Sequence, residues 1–222
     1  MKPILFNTEM VWAILDGKKT ATRRIVRKKY SNTDLMMFTN KYGTRLIEQQ
    51  NDAPKPIEFI GEDGMKRTRR SLIAYVECKL PYQPGDILYV RETFAKNCCG
   101  TGWPWLYKAS PEYNEYEPDV WHPSIHMPKE AARIFLRVTD VHAERLQDIT
   151  EDGAKAEGAI NNHGFIHSPD NEYDTVHTAR EHFSEIWNST VKKANQDKYG
   201  WDANPWVWVI SFEHCEKPKE KQ

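Results

Sequence analysis

The pattern that most constrains this chain is the order in which strand-like and helix-like segments follow one another. Arg133 to His142 alternates, with Ile134, Leu136 and Val138 on one face and Arg133, Phe135, Arg137 and Thr139 on the other, the mark of a half-exposed strand. Near the end, Trp206-Val207-Trp208-Val209-Ile210-Ser211-Phe212 reads as a strand with Trp206, Trp208, Ile210 and Phe212 on one side. Strand-like segments outnumber helical ones and do not alternate with them regularly, which argues against a doubly wound parallel sheet. The expected class is α+β: a mixed sheet, curved or closed into a small barrel, with helices packed at its rim and few free strand edges.

Local signals mark the elements. Thr8 stands as N-cap before Val11, Ile14 and Leu15, and Asp16–Gly17 closes that first helix. Pro84–Gly85 is a turn feeding the strand Ile87-Leu88-Tyr89-Val90-Arg91, Trp105-Leu106-Tyr107 is a shorter strand, and Lys129 to Ala132 forms one helical turn. Thr150, Glu151 and Asp152 open a helix that runs to Glu157 before Gly158 stops it, although Gly153 stands where a capping box would place Glu or Gln. Residues 159–174 read as a polar loop. The longest helix then follows Asp174–Thr175, with Val176, Ala179, Phe183, Ile186, Trp187 and Thr190 on its stripe. Residues 27–75 look like a polar surface insertion holding one hairpin, so the expected organisation is a single domain over 1–213 with a charged tail, 214–222.

Charge sharpens the reading. The 222 residues carry a net charge of −1, but residues 1–80 hold 16 Lys and Arg against 9 Asp and Glu, and residues 81–222 hold 15 against 23. A basic N-terminal third therefore survives an uninformative average. No apolar run is long enough for a membrane span and no signal peptide is visible, so a cytoplasmic protein with no membrane partner is expected. The four cysteines, Cys78, Cys98, Cys99 and Cys215, are too few and too irregular for a disulfide framework. His122 and His126 have half of a zinc-finger spacing, but adjacent Cys98 and Cys99 lack the Cys-x-x-Cys half, so no metal and no cofactor is expected.

The densest chemistry follows the first helix. In Lys18-Lys19-Thr20-Ala21-Thr22-Arg23-Arg24-Ile25-Val26-Arg27-Lys28-Lys29, seven of twelve side chains are cationic and two are threonines. Arg offers a planar fork for phosphate or a base edge, Lys a point charge, and Thr a neutral hydroxyl. Read alone, such a run is more often a solvated basic face. Glu157 is the second anomaly: it ends a helix, where the backbone dipole disfavours a carboxylate, and a charge so placed calls for a cationic partner or a job.

Three blocks together resemble the ASCH domain family, a branch of the PUA-like β-barrels. They are Ile14-Leu15-Asp16-Gly17-Lys18-Lys19-Thr20-Ala21-Thr22-Arg23-Arg24, Pro84-Gly85-Asp86-Ile87-Leu88-Tyr89-Val90, and Arg137-Val138-Thr139-Asp140-Val141 leading into Leu146 to Gly158. The longer phage and prophage type is especially similar, down to Trp121-His122-Pro123 and Asn204-Pro205-Trp206. The resemblance implies a PUA-like mixed barrel and recognition of nucleic acid, RNA favoured over DNA, or of a modified nucleoside. With the basic segment as the binding face, Lys18, Thr20, Arg23, Arg24, Arg27, Lys28 and Trp121 are the candidate ligand contacts.

It also implies a rival activity. Small bacterial members of the family remove the acetyl group from 4-N-acetylcytidine with a Lys, a Thr and a Glu, which fall by motif on Lys19, Thr22 and Glu157. In such a hydrolase Lys19 would take the proton of Thr22, the Thr22 oxygen would attack the amide carbon, and Glu157 would protonate the leaving amine or anchor the pyrimidine edge. This chain is longer than those enzymes through 27–75 and 159–200. On an ideal strand, moreover, Lys19 and Thr22 point to opposite faces. Of the tryptophans, Trp187, Trp206 and Trp208 read as core, and one of Trp103, Trp105 and Trp121 as a platform for a stacked base.

Overall fold

The computed structural model describes residues 1–41, 43–51, 57–69, 75–97, 104–110, 118, 120–168 and 171–218. In chain order the elements are β1 (Lys2–Leu5), α1 (Thr8–Leu15), β2 (Ala21–Ile25), β3 (Thr33–Asn40), β4 (Gly43–Gln50), β5 (Ile57–Ile60), β6 (Lys66–Arg69) and β7 (Tyr75–Glu77). They continue with β8 (Ile87–Arg91), β9 (Phe94–Lys96), β10 (Trp105–Tyr107), β11 (Phe135–Arg145), α2 (Glu151–Ala156), β12 (Asn162–Ser168), β13 (Asn171–His177), α3 (Ala179–Thr190), α4 (Gln196–Tyr199) and β14 (Trp206–Cys215). The class is mixed α+β. The chain divides into two compact units, residues 1–24 with 82–222, and residues 25–81.

The first unit is built on a five-stranded sheet in the order β1-β8-β11-β14-β2, parallel between β1 and β8 and antiparallel from β8 through β11 to β14. Its centre is the two alternating segments, β11 and β14, paired from Phe135 with Cys215 to Arg145 with Trp206. A bulge between Val138 and Asp140 skips Thr139, which adds twist. Val207, Val209 and Ile210 are buried, so the middle of β14 is covered on both faces, and Leu88 of β8 and Leu136 of β11 are buried beside it. Each such side chain contributes about 1.5–3 kcal/mol relative to exposure.

Among the described residues no backbone pairing joins β1 to β2, so the expected barrel is not closed by hydrogen bonds. The sheet instead curls until side chains bridge its ends. Phe6, just past β1, packs its ring 6.1 Å from that of Phe212 on β14, and Arg24 of β2 donates to the Leu5 carbonyl at 2.8 Å. A guanidinium thus occupies the seam where a ladder would otherwise close.

Helix signals needed two corrections. Asn7, not Thr8, caps α1 by accepting from the Met10 N–H at 2.8 Å. The longest helix begins at Ala179, because Thr178 and Glu181 form a full capping box there, while Val176 belongs to the hairpin β12–β13 in the stretch expected as a loop. Period alone cannot separate the end of a strand from the first turn of a helix. The Lys129 turn is present as a 3₁₀ turn over Lys129–Ala131.

Residues 25–81 are more than an insertion with one hairpin. The antiparallel sheet β3-β4-β7 and the hairpin β5–β6 form there, with Leu46 and Ile47 buried. At the heart of this unit Glu48 is buried and gathers the preceding loop: its carboxylate accepts from the N–H of Lys29 at 2.8 Å, the N–H of Tyr30 at 2.7 Å and the Thr33 hydroxyl at 2.5 Å. Burial alone would push the Glu48 carboxyl up. The bonds from Thr33, Lys29 and Tyr30, with the Lys28 charge nearby, bring it below its ordinary value of 4.5.

A carboxylate held below its ordinary value stabilises the fold above that value, and the contribution drains as pH falls from 4.5 through the lower folded value. Urea unfolding of the 25–81 unit between pH 7 and pH 3 should therefore show falling stability below pH 4.5. Glu48→Gln should cost about 1.5–3 kcal/mol at neutral pH and flatten that acid limb.

Candidate functional site

The site starts from how α1 ends. Gly17 takes φ +72°, the N–H groups of Lys18 and Lys19 both reach the Ala13 carbonyl at 2.9 Å, and the chain turns back toward the sheet. Residues 19 and 20 are then strapped on both sides. Lys19 forms an antiparallel bridge with Glu157, Thr20 donates its N–H to Ala156 at 2.8 Å, and the Phe212 N–H of β14 donates to the Thr20 carbonyl at 2.8 Å. This strap turns Lys19 inward and leaves Lys18 and Thr20 exposed, with Lys18 paired to Asp16 at 2.9 Å.

Glu157 arrives from the other direction, as the C-cap of α2. Thr150 caps that helix by accepting from the Gly153 N–H at 3.0 Å. Two glycines make the approach feasible. Gly158 has φ +92°, and a Cβ there would lie 3.0 Å from the Ala13 Cβ and 3.6 Å from the Lys19 Cβ. At Gly153, the residue that spoils the capping box, a Cβ would press on Arg23 Nη2 at 3.2 Å. The missing Glu is therefore the space through which Arg23 enters.

The result is a buried ion network. Lys19 Nζ donates to Glu157 Oε2 at 2.5 Å and to the Glu157 carbonyl at 2.8 Å, so one ammonium neutralises the misplaced carboxylate and also satisfies a helix-end carbonyl. The two side chains are 0% and 5% exposed. Arg23 contributes a weaker contact to Glu157 Oε1 at 3.4 Å and holds Glu144 of β11 at 2.7 Å. Burial pulls the Lys19 ammonium below its ordinary value. Glu157 opposes this by charge and hydrogen bond, and the Arg24 and Arg23 charges add to the lowering.

Arg24 leaves β2 on the face opposite Arg23. Its guanidinium lies 5.3 Å from the Phe6 ring centroid, with Lys19 Nζ at 5.7 Å from the same centroid, and it forms no ion pair among the described residues. Burial lowers it from its ordinary value, and the negative charge of Glu157 raises it. Beside it, Tyr82 donates its hydroxyl to the Pro3 carbonyl at 2.8 Å. Burial pushes that phenol up and the Arg24 charge pulls it back.

The structure thus brings Lys19, Arg23 and Glu157 together. Thr22 is 1% exposed and lies on the face of β2 opposite Arg23, the residue that shares Glu157 with Lys19. Trp121 is half-buried beside His122, whose backbone pairs with Phe94, and is not a hydrogen-bond partner of Glu157. Trp105 packs edge-on against Phe94 at 5.6 Å. Trp103, Cys98, Cys99 and Arg70 lie outside the described residues. Arg27 and Lys28 belong to the 25–81 unit and are exposed there, Lys28 reaching the Thr33 carbonyl and, at 3.1 Å, Asp34. Glu144 was not singled out from sequence; its only signal is a place on the β11 alternation. Among the described residues no three His, Cys, Asp or Glu are grouped to hold a metal, and no helix is long and apolar enough to cross a membrane.

Lys19→Ala should cost about 3–5 kcal/mol in urea unfolding, because Glu157 would remain buried without its main partner, whereas Lys19→Met combined with Glu157→Leu should recover most of that loss. Gly158→Ala should cost about 1–2 kcal/mol by the same measurement through its left-handed backbone alone. Comparison with protein-family models, curated proteins and solved structures finds no match to this chain.

Proposed function

We propose that this protein recognises nucleic acid, RNA in preference to DNA, or a modified nucleobase, through an ASCH-like, PUA-like fold whose ligand cations lie on the basic segment after α1. The observation that carries this reading is Arg24. It is half-buried, set against Phe6 and beside Tyr82, and has no carboxylate partner among the described residues. A guanidinium so placed is pre-organised for a phosphate or for the acceptor edge of a base. Lys19, Arg23 and Glu157 serve as its rigid support, since their charges satisfy one another away from solvent. The motif resemblance to the ASCH family supports the same reading, and exposed Lys18, Arg27 and Lys28 supply sequence-independent attraction.

One observation favours a second reading, hydrolysis of an N4-acylated cytosine nucleoside. Lys19 and Glu157, two of the three residues that chemistry uses, touch, and burial lowers the Lys19 ammonium from its ordinary value. Against it, the ammonium is committed to two oxygens of Glu157 and is closed to solvent. A nucleophilic Thr22 would need Glu157 to release Lys19 first.

The two readings separate on Arg24 and Thr22, whose substitution spares the Lys19–Glu157 pair. For recognition, Arg24→Ala should weaken binding of a labelled single-stranded RNA at least about 5-fold and lower the salt slope of log K by about one, with Thr22→Ala close to wild type. Turnover of 4-N-acetylcytidine by the wild-type protein, lost in Thr22→Ala at unchanged stability, would establish the hydrolase instead.

A further inference from the structure

Residues 25–81 contain a cavity of about 400 Å³, within the range of pockets that hold small organic ligands. Its floor is one face of the sheet. Thr33 pairs with Gln50, and Glu48 pairs with Val76, so these four side chains rise on the same side of β3, β4 and β7. Its wall is the loop of Tyr30, Ser31 and Asn32.

That wall is held in place before any ligand arrives. Glu48 spends its carboxylate on the Lys29 N–H, the Tyr30 N–H and the Thr33 hydroxyl, and the Asn51 N–H donates to the Asn32 carbonyl at 3.2 Å. Glu48 is thus a builder of the pocket, its charge already balanced by donors. The groups left to meet a ligand are neutral and bifunctional, the exposed Ser31 hydroxyl and Gln50 amide, together with the Tyr30 ring, which is 48% exposed. The Lys29 ammonium lies 5.3 Å from the centroid of that ring, and Arg27 and Lys28 precede it, exposed.

A carboxylate ligand would find no cation within the lining, and an aliphatic one would leave the amide and hydroxyl unpaired. A flat, uncharged heterocycle with edge donors and acceptors fits both, and the cations that run into the loop suit the phosphates attached to it. We propose that this pocket takes one base of a single-stranded nucleic acid, stacked on Tyr30 and read by Gln50 and Ser31, with Arg27 and Lys29 on the flanking backbone. The proposal deepens the nucleic-acid reading and rests on it: the 25–81 unit supplies a base-reading site of its own, additional to the Arg24 site.

The test is fluorescence anisotropy of the full chain with a fluorescein-labelled single-stranded uridine RNA, comparing wild type with Tyr30→Ala, Tyr30→Phe, Gln50→Ala and Arg24→Ala. Tyr30→Ala should weaken binding by between about 5- and 150-fold, the factor that stacking one base supplies. Tyr30→Phe should stay within about threefold of wild type, because its ring still stacks. Gln50→Ala should weaken binding without changing the salt slope. Thermal unfolding of each variant provides the control for folding, and the exposure of Tyr30 and Gln50 makes a folding defect easy to recognise. Wild-type affinity in Tyr30→Ala and Gln50→Ala, with loss in Arg24→Ala, overturns the pocket and leaves the Arg24 site standing. Loss in Tyr30→Ala with none in Arg24→Ala supports the pocket and removes the Arg24 site. No binding by wild type overturns both.

Discussion

The first unit depends on a buried ion pair that joins two elements 138 residues apart in sequence, Lys19 after α1 and Glu157 at the end of α2. Neither charge is tolerable alone. A carboxylate at a helix C-terminus meets the negative end of the backbone dipole, and an ammonium closed off from water loses its hydration. Each resolves the difficulty of the other, and the Lys19 ammonium further satisfies the Glu157 carbonyl. The surrounding backbone fixes that meeting, through the bridge from Lys19 to Glu157, the bond from Thr20 to Ala156, and a left-handed Gly158 that lets the helix end come against Ala13.

From that pair the functional reading follows by charge accounting. Arg23 is shared between Glu144 and Glu157, so two cations and two carboxylates are gathered in one closed network. Arg24 has no carboxylate partner among the described residues and donates to the Leu5 carbonyl at the seam of the sheet. Lys19 and Arg23 are committed to Glu157, although the Lys19 ammonium also lies against the Phe6 ring that Arg24 flanks. The Arg24 guanidinium has the Leu5 carbonyl and the Phe6 ring for company. Residues that stand in a row in the sequence thus divide, in the fold, into an ion-paired group, Lys19 and Arg23 with Glu157, and an arginine that has no carboxylate partner among the described residues.

The 25–81 unit shows the same economy with a different residue. Glu48 is buried and ionised, and its charge is balanced mainly by hydrogen bonds from the loop it holds, with the Lys28 charge adding to them. A loop tied down in this way bears an exposed ring and neutral polar groups over a cavity, with cations leading into it. In both units a buried glutamate is committed to architecture by the groups that it holds.

Much of this was legible in the chain. The alternation of Arg133–His142 and Trp206–Phe212 announced the two central strands, Asp16–Gly17 announced the end of α1, and a glutamate at a helix terminus called for a cationic partner or a job. Period and local propensity carry those signals because they act over a few residues. The sequence could not tell that Val176 ends a strand while Thr178 starts a helix, that residues 25–81 build two sheets, or that Gly153 is small to admit Arg23. It did not single out Glu144, which carries no local oddity. Those outcomes are set by contacts between segments far apart in the chain. By itself the sequence determined which charges needed partners; the tertiary structure alone decided which partners they received, because burial makes pairing obligatory but only the packing of α1, α2, β2 and β11 brings particular side chains within hydrogen-bond reach.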